Sequence, residues 1–405
     1  MNSRSNLATL ACIFMLTLTL LIQGCGSPTV RQTASGGEAN TPSVVSRGTA
    51  DADGLSTADL RPLGVQLDWS YHHPQKIDQA FSANGNLYIV SATSQRSYHL
   101  IKIDGTTGLP TWTYPLQVPL EFAPSVFAYP KELKAENPDE LFIVERGMVH
   151  CVDDQYGARN YRIPCNFPIS TSVVPGIDNL IVGGYDFRVY GLSKKEKFVA
   201  WTYLTNGAIS ASPVNFAGRS YVGSEDGNFY ALKQGNGFSK GGSWMFETQQ
   251  AIEATAAVVD DRIYFGSRDT KMYCLTDGGD EAYLNWQANL ALPVYSSPVV
   301  SGNSLFVTLN DNRNSDAPVI ALACLDTADG AEKWRKEGYS EILLSNRNQV
   351  WVTDENHELT ALNNSDGSIR WAFDCAGSIA VLGYGEDSVV IVNQDGLVQS
   401  ISNQR

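Results

Sequence analysis

The 405-residue sequence is poor in what a metal site needs. Five histidines and seven cysteines are present, but no Cys-x-x-Cys pair occurs and only His72 and His73 are adjacent. Neighbours on a strand point to opposite faces, so these two imidazoles are badly placed to share a cation. "NDNRNSDAP", residues 310 to 318, lacks the alternating oxygen ligands and final glutamate of an EF-hand and reads as a solvated loop. No metal site is expected. Basic residues are also scarce, 29 against 43 acidic ones, for a formal net charge of −14. Through Arg61 the charges cancel, with Arg4, Arg31, Arg47 and Arg61 against Glu38, Asp51, Asp53 and Asp59, so the rest of the chain carries the whole excess. That excludes nucleic acid as a partner, since phosphates demand a basic surface. No spacing of the many carboxylates selects a catalytic pair, and no catalytic residue is assigned. Helical periodicity is missing too, since no segment beyond the first 25 residues shows a convincing 3.6-residue apolar period.

What is present is a repeat. "SEDGNFYALKQGNGFSKGGSW", 224 to 244, is an apolar strand, a polar turn and a tryptophan, and near-copies end at Trp112, Tyr161, Trp201, Trp286, Trp334 and Trp371. In five copies a polar residue stands eight positions before the aromatic: Asp104, Asp153, Ser193, Asp326 and Asn363. Four copies place a glycine four before it (Gly108, Gly157, Gly330 and Gly367), where a tight turn needs positive φ. With Trp69 the closing aromatics are 37 to 49 residues apart, the period of a four-stranded propeller blade. Segments such as "SASPVNFAGRSYVGS" and "YSSPVVSGNSLFVTL" supply the other two strands. The fold class is all-β, an eight-bladed β-propeller of four-stranded antiparallel blades.

The last unit, 371 to 405, is long enough for only three strands, whereas "GVQLDWSYH", 64 to 72, carries Trp69 with no hairpin before it. The N-terminal strand is therefore expected to complete the last blade and close the ring, leaving no long unpaired edge. The tryptophans read as packing between blades. Two connections are longer than a minimal blade needs: 129 to 140 within blade 2 and 309 to 318 within blade 6. The first, with prolines and mixed charge, is the better candidate for a partner contact.

Residues 1 to 24 read as a signal peptide, with Arg4 before an apolar run from Leu7 to Ile22 that is short for a membrane span. Its end, "LIQGC", resembles the bacterial lipobox, which implies lipidation at Cys25. Residues 25 to 62 read as the lipidated cysteine and a flexible Ser, Thr, Gly, Ala and Pro-rich tether. Such a tether would span roughly 30 to 35 Å. Residues 63 to 405 form the propeller. Of its five cysteines, Cys151, Cys274 and Cys324 occupy equivalent third-strand positions, while Cys165 and Cys375 fall four residues after an aromatic. The ring holds equivalent positions apart, so buried free thiols are expected.

The Asp, Thr-Gly, Trp pattern after an apolar strand ("LIKIDGTTGLPTW", "LACLDTADGAEKW") resembles the tryptophan-docking repeat of pyrroloquinoline-quinone (PQQ) propellers. The likeness covers nearly all of 63 to 405, with blades 3, 4 and 5 departing at the Asp and Gly positions. Two groups share that scaffold. Quinoprotein dehydrogenases add adjacent cysteines at the cofactor, calcium ligands, a catalytic aspartate and long insertions. This chain has no adjacent cysteines and nearly minimal blades. It is more similar to the BamB family of lipid-anchored proteins that help assemble outer-membrane barrels. That resemblance implies a monomeric, non-enzymatic interaction scaffold without a cofactor. It also implies attachment to the outer membrane facing the periplasm, with envelope proteins, including a barrel-assembly complex, as partners. A periplasmic quinoprotein-type enzyme or a small-ligand-binding propeller is the alternative.

Overall fold

A computed structural model describes residues 55–56, 60–93, 97–134, 137–233, 243–311, 319–375, 377–385 and 387–404. Eight four-stranded antiparallel sheets form the ring of a β-propeller. Blades 1 to 7 take consecutive strands within 77–116, 125–164, 174–204, 214–247, 257–289, 299–337 and 339–374. Blade 8 combines Ser378–Tyr384, Ser388–Asn393 and Leu397–Asn403 with Val65–His72 as its outermost strand. The closing strand read from Trp69 is therefore present, paired from Val65 opposite Asn403 to His72 opposite Leu397, with a bulge between Leu67 and Trp69. Second and third strands, such as Glu140–Glu145 and Asn228–Lys233, are buried on both faces because a neighbouring blade covers each side. The outermost Pro110–Leu116 alternates instead. The core is accordingly divided into eight apolar clusters, each shared by two adjacent blades.

The hairpin repeat supplies the joint between blades. In all five aligned copies the turn closes identically, as where the Gly108 and Gly330 amides donate to the Asp104 and Asp326 carbonyls at 2.8 and 2.9 Å. The Asp104 carboxylate accepts the Thr106 and Thr107 amides, and Asp153 accepts those of Gln155 and Tyr156, which is why a short polar side chain opens the turn. The next residue's carbonyl receives the indole N–H of the preceding blade. Trp69 donates to Gly105, Trp112 to Asp154, Trp286 to Thr327 and Trp334 to Asn364, at 2.7 to 3.0 Å. Each turn glycine then lies against that same indole. A Cβ on Gly108, Gly157, Gly330 or Gly367 would come within 2.3 to 2.7 Å of the preceding tryptophan ring, and each φ is positive. Glycine is required there twice over, by backbone and by contact.

Blade 3 departs in a coordinated way. Lys197 occupies the glycine position at φ +61, and the aromatic it meets is the smaller Tyr161, with the Lys197 ammonium 5.1 Å from the ring centre. A second repeated step lies at the other end of the blades. Gly183, Gly223 and Gly266 lie at or next to the ends of second strands, and a Cβ on each would fall within 2.5 Å of Ile209, Ile252 and Val294 from the following link.

At the ring closure the two chain ends imitate a turn. The Gln404 amide donates to the Gly64 carbonyl at 2.8 Å, as Asp104 does to Leu109. The described chain also reaches further back than the expected boundary at 62/63. Leu60 is buried between blades 7 and 8 with Leu63 and Trp371, and Leu55 exchanges hydrogen bonds with the Gln399 amide at 2.9 and 3.0 Å. The end of the segment read as tether thus packs on the seam, because the interrupted blade leaves apolar surface that two leucines cover.

Candidate functional site

Cys25, the predicted lipidation site, lies outside the described residues. His72, the last residue of its strand, is exposed, whereas His73, just past the strand end, is buried. All five described cysteines are buried, and none of them forms a disulfide. Burial pushes Cys151 up to about 12 and Cys165 and Cys324 up to about 11, so these thiols stay protonated and unreactive at neutral pH.

The blade 2 segment is tied to the body at each end. The Asp139 carboxylate accepts the Tyr129 amide at 3.1 Å and pairs with Lys134 at 2.8 Å, while the Asp139 carbonyl accepts the Asp154 amide. Beneath it, Lys194 of blade 3 enters blade 2, bonding Glu140 at 2.6 Å and lying 4.2 Å above the Phe127 ring. Tyr129 and Phe142 flank the same ammonium, and the Tyr129 hydroxyl donates to Glu140 at 3.1 Å. This buried ion pair, missed in the sequence, sits one residue past the turn position of Ser193. In blade 6, residues 312–318 lie outside the described residues, and the flanking strands extend until Asp311 pairs with Val319.

The two faces of the ring follow from strand alternation. Turns joining second to third strands and links between blades share one face, while inner-hairpin tips and the Trp-docked turns share the other. On the first, Tyr190, Tyr230 and Tyr273 donate to Asp186, Asp226 and Asp269 of their own turns, at 2.5 to 2.8 Å. Burial, then the carboxylate, raises each phenol above its usual range. Tyr185 and Phe187 stand exposed beside them in blade 3. On the second face, the tips of blades 3, 4 and 5 expose Ile177, Phe216 and Val259 by 55%, 41% and 41%. Exposed apolar side chains thus gather at the tips of blades 3 to 5 on the second face, and in blade 3 on the first.

A cavity of about 1000 Å³ lies at the seam and is lined by polar groups including Asp68, Asn346, Arg370 and Asp387. Its carboxylates are already engaged, Asp68 by Gln66 and Ser402 and Asp387 by Asn346. Neither histidine nor cysteine is among its lining residues. A quinone-type centre of the dehydrogenase kind would need adjacent cysteines and a cation site. Among the described residues no two cysteines are adjacent, and no cluster of three His, Cys, Asp or Glu is placed to hold a cation. The described residues therefore do not supply the donor set of such a centre.

Residues 240–344 and 321–405 match the family described as outer membrane protein assembly factor BamB. No curated protein matches the sequence. Among solved structures, BamB from Moraxella catarrhalis is 16% identical with a TM-score of 0.62, over 84% of this chain and 97% of that one. The quinohemoprotein alcohol dehydrogenase of Comamonas testosteroni is 11% identical with a TM-score of 0.63, over 85% of this chain and 77% of that one. A computationally designed protein, Ika8, has 11% identity and a TM-score of 0.58, over 82% of this chain and 97% of its own. At such identities the structures share a fold. With the family match, they bear out the PQQ-like propeller read from the repeat.

Proposed function

We propose that this protein is a cell-envelope interaction scaffold, anchored by lipid at Cys25 and serving, in its narrowest form, outer-membrane β-barrel assembly. The observation that carries the reading is the row of exposed apolar side chains, Ile177, Phe216 and Val259, on the adjacent tips of blades 3 to 5 at one face of an otherwise minimal ring. Contiguous apolar surface rimmed by polar residues marks protein docking. The BamB match over 240–405 supports the narrow form, and "LIQGC" with the following tether supports attachment to the outer membrane on its periplasmic side. The scaffold acts by position: tethered near its anchor, it raises the local concentration of partners held on its faces. No catalytic residue or cofactor is assigned.

Two experiments test it. Radiolabelled palmitate enters the wild type and not Cys25→Ala, and equal labelling of both would remove the anchor. Crosslinking of the native lipoprotein in membranes, followed by identification of the adducts, recovers a barrel-assembly subunit. The shared fold with quinohemoprotein dehydrogenases supports the second reading, an enzyme. Reduction of a dye by the isolated protein only with PQQ and an alcohol would establish that reading instead.

A further inference from the structure

The inner-hairpin tips differ around the ring. Blades 1, 6 and 7 end in Asn84-Gly85, Gly302-Asn303 and Asn346-Arg347-Asn348, whereas blades 3, 4 and 5 present Ile177, Phe216 and Val259. These three tips are adjacent, and the Asn215 side chain ties blade 4 to blade 3 by donating to the Val174 and Pro175 carbonyls at 3.4 Å. Between blades 4 and 5 a cavity of about 260 Å³ opens on this face. Phe216, Val258 and Ile263 wall it, and Asp260 and Asp261 stand exposed at its mouth.

The floor is electrically settled. Arg219 Nε lies 2.9 Å from Asp277 Oδ2, and the Arg219 guanidinium also donates to the Gly279 carbonyl at 2.5 Å. Asp277 accepts the Tyr221 hydroxyl at 2.6 Å and the Trp244 indole at 2.8 Å. Burial works to raise the Asp277 carboxyl, but these donors and Arg219 outweigh it and hold the group ionised below the usual range. The mouth aspartates are therefore left to face solvent above an apolar wall, with Asp178 exposed at the neighbouring tip.

We infer that this face docks an extended segment of a partner protein in which a lysine or arginine lies between apolar side chains. Its aliphatic stem packs on Phe216 and Val258, its cation meets Asp260 and Asp261, and the flanking apolar residues cover Ile177 and Val259. This rests on the scaffold reading and adds the chemistry of the partner.

The test uses the full-length lipoprotein in detergent and a labelled synthetic peptide alternating leucine with lysine, read by fluorescence anisotropy. The peptide binds, its leucine–glutamate counterpart does not, and binding weakens with salt. The double variant Asp260→Lys/Asp261→Lys loses about tenfold or more in affinity, and Phe216→Ser also loses affinity, each with an unchanged melting temperature. An equal charge change on the opposite face, Glu225→Lys/Glu355→Lys, moves affinity by no more than about twofold. Failure of the lysine peptide to bind, equal binding of the glutamate peptide, or equal weakening by the two charge reversals would overturn the inference. Adducts with a barrel-assembly subunit in membranes would still uphold the scaffold reading in that case.

Discussion

Blades 3 to 6 and blades 7, 8 and 1 solve the same geometric problem differently. Each of the first group is entered by a nine-residue link, at 165–173, 205–213, 248–256 and 290–298, and has an inner strand of two or three residues. Blade 7 follows through Gly338 alone, blade 8 through 375–377 and blade 1 through 73–76, and their inner strands run seven residues. The wedge between blades must be filled near the axis. In the first group a link residue such as Ile252 drops onto a strand glycine, Gly223, whereas in the second the long inner strands pack on one another. The first arrangement is local and repeated, which leaves hairpin tips free to vary. The second joins the chain ends and holds the ring closed. Stability at the seam and exposed apolar tips elsewhere are thus separated.

The sharpest way to break this division is to remove the closing strand. Deleting 60–72 takes Leu60, Leu63, Val65 and Trp69 from two core clusters, at roughly 1.5 to 3 kcal/mol for each buried side chain. It also bares the edge of Leu397–Asn403. Loss of a cooperative melt, with association, is expected. Deleting 26–54, which spares the Leu55 bonds to Gln399, shifts the melting temperature by less than about 2 °C.

Within the local half, the largest effect belongs to the caged lysine. Lys194→Met leaves the Glu140 carboxylate buried without its cation and costs about 3 to 5 kcal/mol. Adding Glu140→Gln recovers part of that loss, so a double-mutant cycle by denaturant unfolding shows strong coupling. Additive losses would mean that the pair contributes little to the joint.

Glycine substitutions sharpen the comparison further. Gly330→Ala meets Trp286 at 2.6 Å with φ +75, while Gly85→Ala has φ +70 and nothing within 4 Å. The first should cost about 2 to 4 kcal/mol and the second about 1 kcal/mol. Their difference isolates the indole contact from backbone strain. Gly223→Ala, without positive φ, is relieved in an Ile252→Ala background if the link contact is its cause.

Much of this was legible. Period, hairpin and closing strand follow from Trp69 to Trp371, and the turn glycines announce their positive φ. Their second role was not visible, since Gly330 meets Trp286 only after the ring brings blade 5 to blade 6. Lys194 looked like one charge in "SKKEK", and nothing local distinguishes it from exposed Lys195. Leu55 and Leu60 sit in a segment whose composition reads as solvated, and only the gap in blade 8 buries them. The apolar tips were hidden for the opposite reason: Phe216 stands in a strand pattern that predicts burial.

The smallest expected effect is on pH. Burial, reinforced by Arg159 and Arg162 and opposed by Glu145, lowers His150 below 6.5. The fold therefore favours the neutral imidazole, whose contribution is complete above pH 6.5 and is lost as pH falls through the folded value. Asp104 and Asp326, held below 3.8 chiefly by backbone amides, contribute above that value and lose it only in stronger acid. Melting temperature against pH should show a shallow limb below neutrality that flattens in His150→Gln, then a steeper fall that persists.

The division of labour is tested most directly by a photoreactive side chain placed at four positions in the native membrane: Phe187 and Phe216 in the local half, Asn84 and Asn348 at the seam. The account predicts adducts with a barrel-assembly subunit from Phe216 or Phe187 and none from Asn84 or Asn348. Adducts confined to the seam positions would contradict it.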